Sequence, residues 1–256
     1  MKPIIRYTIL EILRSRIYLS ALGLLLILVG VSWLGGKIND NFGAVWVSIL
    51  SFGMGLSQIL VTAIALFLPV FHMAMEYEQG SAQVFWAKIE SRSIYYFGKF
   101  CAFWILLVLL IVLAALVIGG LALLSDASLI QISFLKYFIF GQILQSACIL
   151  SLVFLLYALI RSPVAASLLT LLTIYFGILF DTTLNTALQS QSFFLKLFYY
   201  ALYYGMPNLS YFNFENHIIY QQNLSISYLS GSALYALCFT GVCVNLANVV
   251  FGRREV

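Results

Sequence analysis

Few residues in this chain carry reactive chemistry. Its 256 residues hold nine Asp and Glu, thirteen Lys and Arg, two His and four Cys. The run richest in metal-ligand types is His72-Met73-Ala74-Met75, an imidazole and two thioethers of the kind that suit Cu(I). Ligands at i, i+1 and i+3 do not converge on a helix, and methionine commonly fills apolar gaps. No metal is expected there. The other histidine, His217, lies far along the chain. Neither a GxSxG nor an HExxH pattern occurs, and there is no GxxxxGK[ST] phosphate loop, so no catalytic residue and no nucleotide site are expected in this chain. Cys101, Cys148, Cys238 and Cys243 all fall in apolar runs without a CxxC pair, where a thiol packs as a small hydrophobe.

Uncharged polar residues within the apolar runs are the next candidates. Gln58, Thr62, Gln142, Gln145 and Asn245 are expected to hydrogen-bond between helices; the alternative is that they line a substrate route. Carboxylates of the kind that couple transport to protons or sodium are missing from the run interiors, because Asp126 and Asp181 fall at run ends. Ser51, Gly53, Gly55 and Ser57 form two overlapping pairs of small residues four apart, which favours close helix packing within the chain or between copies. If the protein moves a cargo, the energy must enter through a partner.

The elements that would position these groups follow from composition. Hydrophobic residues make up 63% and charged residues 9%, with a mean hydropathy of +1.02. Soluble domains run at about 45–50% apolar and about 25% charged. Disordered, disulfide-stapled and nucleic-acid-binding classes are excluded, and no nucleic-acid partner is expected. A lipid core takes about 20 apolar residues per helix. Six segments qualify, at about 17–34, 44–71, 100–124, 133–160, 162–180 and 228–251. The fourth and fifth meet at Arg161-Ser162-Pro163, a charge and a helix breaker suited to a tight turn. The expected fold is a single all-α transmembrane domain over 1–256.

Six spans place both termini on one side. Ten of the thirteen basic residues share that side (Lys2, Arg6, Arg14, Arg16, Lys88, Arg92, Lys99, Arg161, Arg253 and Arg254), while Lys37, Lys136 and Lys196 face the other. By the positive-inside rule both termini are cytoplasmic. Residues 1–16 mix Ile4, Ile5, Ile9, Leu10, Ile12 and Leu13 with Arg6, Glu11, Arg14 and Arg16. This basic amphipathic pattern suits a helix in the inner headgroup layer, or a cytoplasmic extension of the first span. The longest cytoplasmic loop, 76–99, has an amphipathic middle with Ser81 as a helix N-cap. It is a candidate docking surface, although loop charge also serves simply to keep a segment in water. The outer segment 181–227 is too long for a plain connector. It holds eleven Phe and Tyr residues between Phe193 and Tyr220, and a helix at 192–204 lying in the outer leaflet or re-entering it is expected to cap a cavity.

The loop residues resemble a known family. Glu76-x-Glu78-x-Gly80-Ser81, then Ser91-Arg92, then Tyr96-x-Gly98-Lys99 leading into the third span, are similar to the coupling loop of type-2 ATP-binding-cassette (ABC) permeases. The basic N-terminal helix, the six spans, the long outer element with Met206-Pro207-Asn208-Leu209-Ser210, and the terminal Phe251-x-Arg253-Arg254-Glu255 resemble the same layout. In place of a Leu-Leu-x-x-Pro-like approach to Ser-Arg, common in that family, this chain has Trp86-Ala87-Lys88-Ile89-Glu90. The resemblance implies the membrane subunit of an exporter in a bacterial inner membrane. It would pair with a second identical or related permease and with separate ATPase subunits that bind the ATP and Mg2+. Glu76 opens the implied coupling motif, Glu78, Gly80 and Ser81 would touch the ATPase, and Arg92 and Lys99 would brace the loop against phospholipid or neighbouring acids. A lipid-like, peptide or drug-like cargo fits the neutral, aromatic-rich composition. The competing reading is a membrane scaffold whose charged loop docks another protein.

Overall fold

In lipid, a chain satisfies its backbone N–H and C=O groups either within a helix or around a closed barrel. This chain takes the helical solution. The computed structural model describes residues 2–14, 16–38, 45–79, 92–125, 135–188, 193–194, 196–197, 200, 207–219 and 223–252, and among these no strand occurs. The principal elements are α1 (Lys2–Arg14), α2 (Arg16–Ile38), α3 (Val45–Glu78), α4 (Arg92–Leu123), α5 (Leu135–Ile160), α6 (Pro163–Leu188), a 3-10 turn (Leu209–Phe212), α7 (Glu215–Ile219) and α8 (Ile226–Gly252). Among the described residues, four helices are long and apolar enough to cross a membrane: Val45–Glu78, Ser93–Leu123, Leu135–Ile160 and Ile226–Gly252. Large apolar side chains such as Leu26, Ile59, Leu116 and Leu237 point outward, as the surface of an integral membrane protein requires.

At the centre stands α5, packed against α3, α4, α6, α8 and the outer turns. Its uniformly apolar circumference, with Ile149, Leu150, Val153 and Phe154 all buried, is that of a helix enclosed on every side. Around it α2 packs on α3, and α3 on α4. The small residues on α3 divide between these contacts and open space. Gly53 lies against Ile118 of α4 and the Ser32 hydroxyl of α2, whereas Gly55 faces nothing within 4 Å. Ser32 also donates to the Ile49 carbonyl at 2.9 Å. Pro69 interrupts the backbone ladder of α3, and in the preceding turn the Ser167 hydroxyl of α6 donates to the Leu66 carbonyl at 2.9 Å.

The turn between α5 and α6 is as tight as expected. Arg161 adopts the left-handed region with φ 66°, and the Ser162 hydroxyl accepts from the Ala165 N–H at 3.3 Å as an N-cap ahead of Pro163. Elsewhere the boundaries move. The third and fourth helices absorb both ends of the 76–99 loop, so Glu76 and Lys99 are helical residues. α6, which covers the expected fifth span, continues to Leu188, taking in the start of the segment assigned to the outer element. The short helix expected after Gly80 and Ser81 lies outside the described residues. So does much of 192–204, where Phe193, Phe194, Lys196, Leu197 and Tyr200 are helical. Phe193 and Phe194 are 72% and 81% exposed.

Later aromatics in the outer element behave differently. Phe212 and Phe214 are each 2% exposed, so they are core residues and do not sit at a lipid boundary. They press on α5 at Gly141, where an added Cβ would lie 2.4 Å from the Phe212 carbonyl oxygen. Because backbone cannot retreat as a flexible side chain can, Gly141→Ala should destabilise the protein by about 1–3 kcal/mol. Gly55→Ala, facing open space, should not. Thermal unfolding of both variants in detergent micelles checks the contrast.

Candidate functional site

The C-terminal end of α3 and the N-terminal end of α4 place polar groups one helical turn apart on facing surfaces. His72 and Glu76 are four residues apart on α3, and Tyr95 and Lys99 are four apart on α4, so each pair shares one helix face. The faces meet. The Lys99 ammonium donates to Glu76 Oε1 and the Tyr95 hydroxyl to Glu76 Oε2. Glu76 is 4% exposed, Lys99 1% and Tyr95 0%. A buried charge is tolerated only when paired and hydrogen-bonded, and here both carboxylate oxygens have donors.

α3 is longer than a lipid core requires. Glu76 stands about 46 Å along α3 from Val45 at about 1.5 Å per residue, against a hydrocarbon thickness of about 30 Å. The surroundings form an apolar collar. His72 meets the Phe103 ring edge-on at 5.6 Å, and the Tyr96 hydroxyl donates to the Phe154 carbonyl of α5. Phe251, at the end of α8, packs on Tyr96 and Tyr77 with ring centroids 4.7 and 6.2 Å away. Five helices are thereby fastened at one level.

The fifth is α1. Its row Ile4, Thr8 and Ile12 is buried, while Tyr7, Leu10 and Leu13 face outward. Ile4 seats on Gly98 of α4, where a Cβ would come within 3.2 Å of its side chain. This docking brings Glu11, with a 38% exposed side chain, to 3.6 Å from His72 Nε2. On the other side of the ring, Nδ1 lies 3.7 Å from Glu76. Burial raises the Glu11 carboxyl above its usual range; the Glu76 charge adds to this and Lys99 opposes it. The Tyr7 hydroxyl is also raised, chiefly by Glu11.

Among the residues singled out from sequence, the structure brings Glu76 and Lys99 together. The neighbouring acid for Lys99 is therefore Glu76. Glu78 is exposed at the end of α3, and Arg92 begins α4, its side chain lying outside the described residues along with Gly80 and Ser81. A second polar group joins α3 to α5: Gln58 and Gln142 each donate to Gln145 Oε1 at 3.2 Å. Gln142 and Gln145 are buried, and this ladder is an interhelical connection. Thr62, one turn beyond Gln58, is half-buried. Asn245 stands apart, exposed on α8 and donating to the Gly241 carbonyl of its own helix at 2.7 Å.

The copper-like run does not gather its ligands, for Met73 is fully buried while Met75 is 40% exposed. Tyr95, Glu11 and the linking role of His72 were not singled out from sequence. The four-residue spacings 72/76 and 95/99 were the available signal. No protein-family model and no curated protein sequence matches the chain significantly.

Two expectations follow. Removing one donor to a buried carboxylate costs about 1.5–3 kcal/mol when the bond is to a charged group, so Tyr95→Phe should lower the unfolding free energy in micelles by that amount. Glu11 has the opposite sign. A carboxyl raised on folding holds its proton more tightly in the folded state, so its ionisation erodes stability as pH climbs from the ordinary carboxylate range through the raised value. With a chelator present, Glu11→Gln should raise the melting temperature at neutral pH, and the gain should vanish in acid below that range. A melting series across pH reads both limbs.

Proposed function

We propose that this chain is the membrane-spanning permease subunit of an ABC exporter, with six spans and both termini in the cytoplasm of a bacterial inner membrane. The observation that carries the reading is the buried Glu76–Lys99 pair. It joins the two helices that flank residues 80–91, the segment that resembles an ATPase-coupling loop. A push on a loop held by two independent helices would dissipate in their relative movement. Where a charged pair with a tyrosine donor welds the helices, the same push moves them together.

In this reading α1 lies in the inner headgroup layer with Tyr7, Leu10 and Leu13 toward acyl chains and Arg6 and Arg14 toward phosphate. The second and sixth helices complete the six spans. Two such permeases, identical or related, face each other, and two separate ATPase subunits bind ATP and Mg2+ beneath them. Glu78, at the exposed end of α3, together with Gly80 and Ser81, meets the ATPase. Arg92 opens the return helix, and Lys99 braces it through Glu76. The route for an amphipathic, lipid-, peptide- or drug-like cargo passes near Gln58, Thr62, Gln142 and Gln145, with Asn245 on an outward face where a second permease would pack.

Co-purification tests this. A soluble ATPase with a phosphate-binding loop should be retained by the intact chain, and Glu78→Lys should weaken that retention and lower ATP turnover at least about tenfold, since like charges juxtaposed at an interface cost several kcal/mol. Retention and turnover unchanged in Glu78→Lys would favour a scaffold that uses the loop to dock some other protein.

A further inference from the structure

We propose that Glu11, His72 and Glu76 form a binding site for a first-row divalent cation of the Zn2+ class, clipping α1 to the C-terminal end of α3. The three residues bring one potential ligand atom each to within 4.8 Å of one another. They come from two helices, so the group is more than a run of acids on one surface. His72 is 8% exposed, and its Nδ1 has no hydrogen-bond partner; neither does the buried Oε2 of Glu11. Leaving such groups unsatisfied is costly, and a bound cation would relieve it.

The geometry distinguishes the two ring nitrogens. Nε2 faces Glu11 at 3.6 Å, and Glu11 also lines a surface groove on α1 with Tyr7, Leu10 and Arg14. Nδ1 faces Glu76 at 3.7 Å. A histidine that ligates a metal through one nitrogen is commonly oriented by a carboxylate at the other. The cation therefore sits on the Nε2 side, held by His72 and the Glu11 carboxylate. Glu76, engaged by Lys99 and Tyr95, lies behind the ring, 3.7 Å from Nδ1. Imidazole with carboxylate suits Zn2+ and its neighbours. The proposal does not depend on the transport reading.

The test is a Zn2+ titration, with Co2+ as a spectroscopic probe, of tag-free, chelator-stripped full-length protein in detergent micelles. The expected result is one saturable equivalent, a visible Co2+ band, and a rise in melting temperature with added Zn2+. Glu11→Gln, on a half-exposed side chain, keeps the fold and should weaken binding by about 10–100-fold. His72→Asn should do the same, and His217→Asn, on the far side of the molecule, should leave affinity unchanged. Absence of a saturable equivalent, or binding that persists equally in Glu11→Gln and His72→Asn, overturns the site.

Discussion

Burying a lysine ammonium and a glutamate carboxylate is among the most expensive things a fold can do, and Glu76 and Lys99 are both almost wholly enclosed. Each ion is tolerable only in the other's presence. The pairing therefore acts as a constraint on everything around it. The C-terminal end of α3 and the N-terminal end of α4 must stay in register, Tyr95 must remain beside the carboxylate, and the neighbouring helices must keep water out. The aromatic contacts of Tyr96 with Phe154 and Phe251 and the seating of Ile4 on Gly98 serve that enclosure.

Through the rest of the molecule the constraints are steric and apolar. α5 is wrapped on all sides, and its single amide cluster with Gln58 stitches it to α3. At the opposite end from the ion pair, the Ser51 hydroxyl donates to Glu215 at 2.6 Å, and Phe212 and Phe214 press on Gly141. The bundle is thus pinned by polar contacts at both ends and packed by hydrocarbon between them, an arrangement that resists sliding of one helix past another.

Much of this was legible in the residues. Apolar runs of sufficient length announced the long helices, and Arg161-Ser162-Pro163 announced the turn between α5 and α6, because span length and proline chemistry act locally. Glu76 and Lys99 stood out by type. Their burial did not, since polar residues beside an apolar run look like the start of a loop until the facing helix supplies partners. The spacings His72–Glu76 and Tyr95–Lys99 carried that information, legible only once both stretches are taken as helical. Glu11 was hidden more deeply: its approach to His72 depends on α1 docking through Ile4 onto Gly98, a contact distant in sequence. The outer aromatics were ambiguous for another reason. A phenylalanine has the same composition signal at a lipid boundary and in a core, and only the close approach permitted by Gly141 places Phe212 and Phe214 inside.

A double-mutant cycle on Glu76 and Lys99 probes the weld between α3 and α4 at its source. Unfolding free energies would be measured in micelles for Glu76→Gln, Lys99→Met and the double variant. Each single change strands a buried ion and should cost about 3–5 kcal/mol, while the double variant should lose far less than the sum. Additive losses, or single variants as stable as the parent, would mean that the two charges do not hold these helices together.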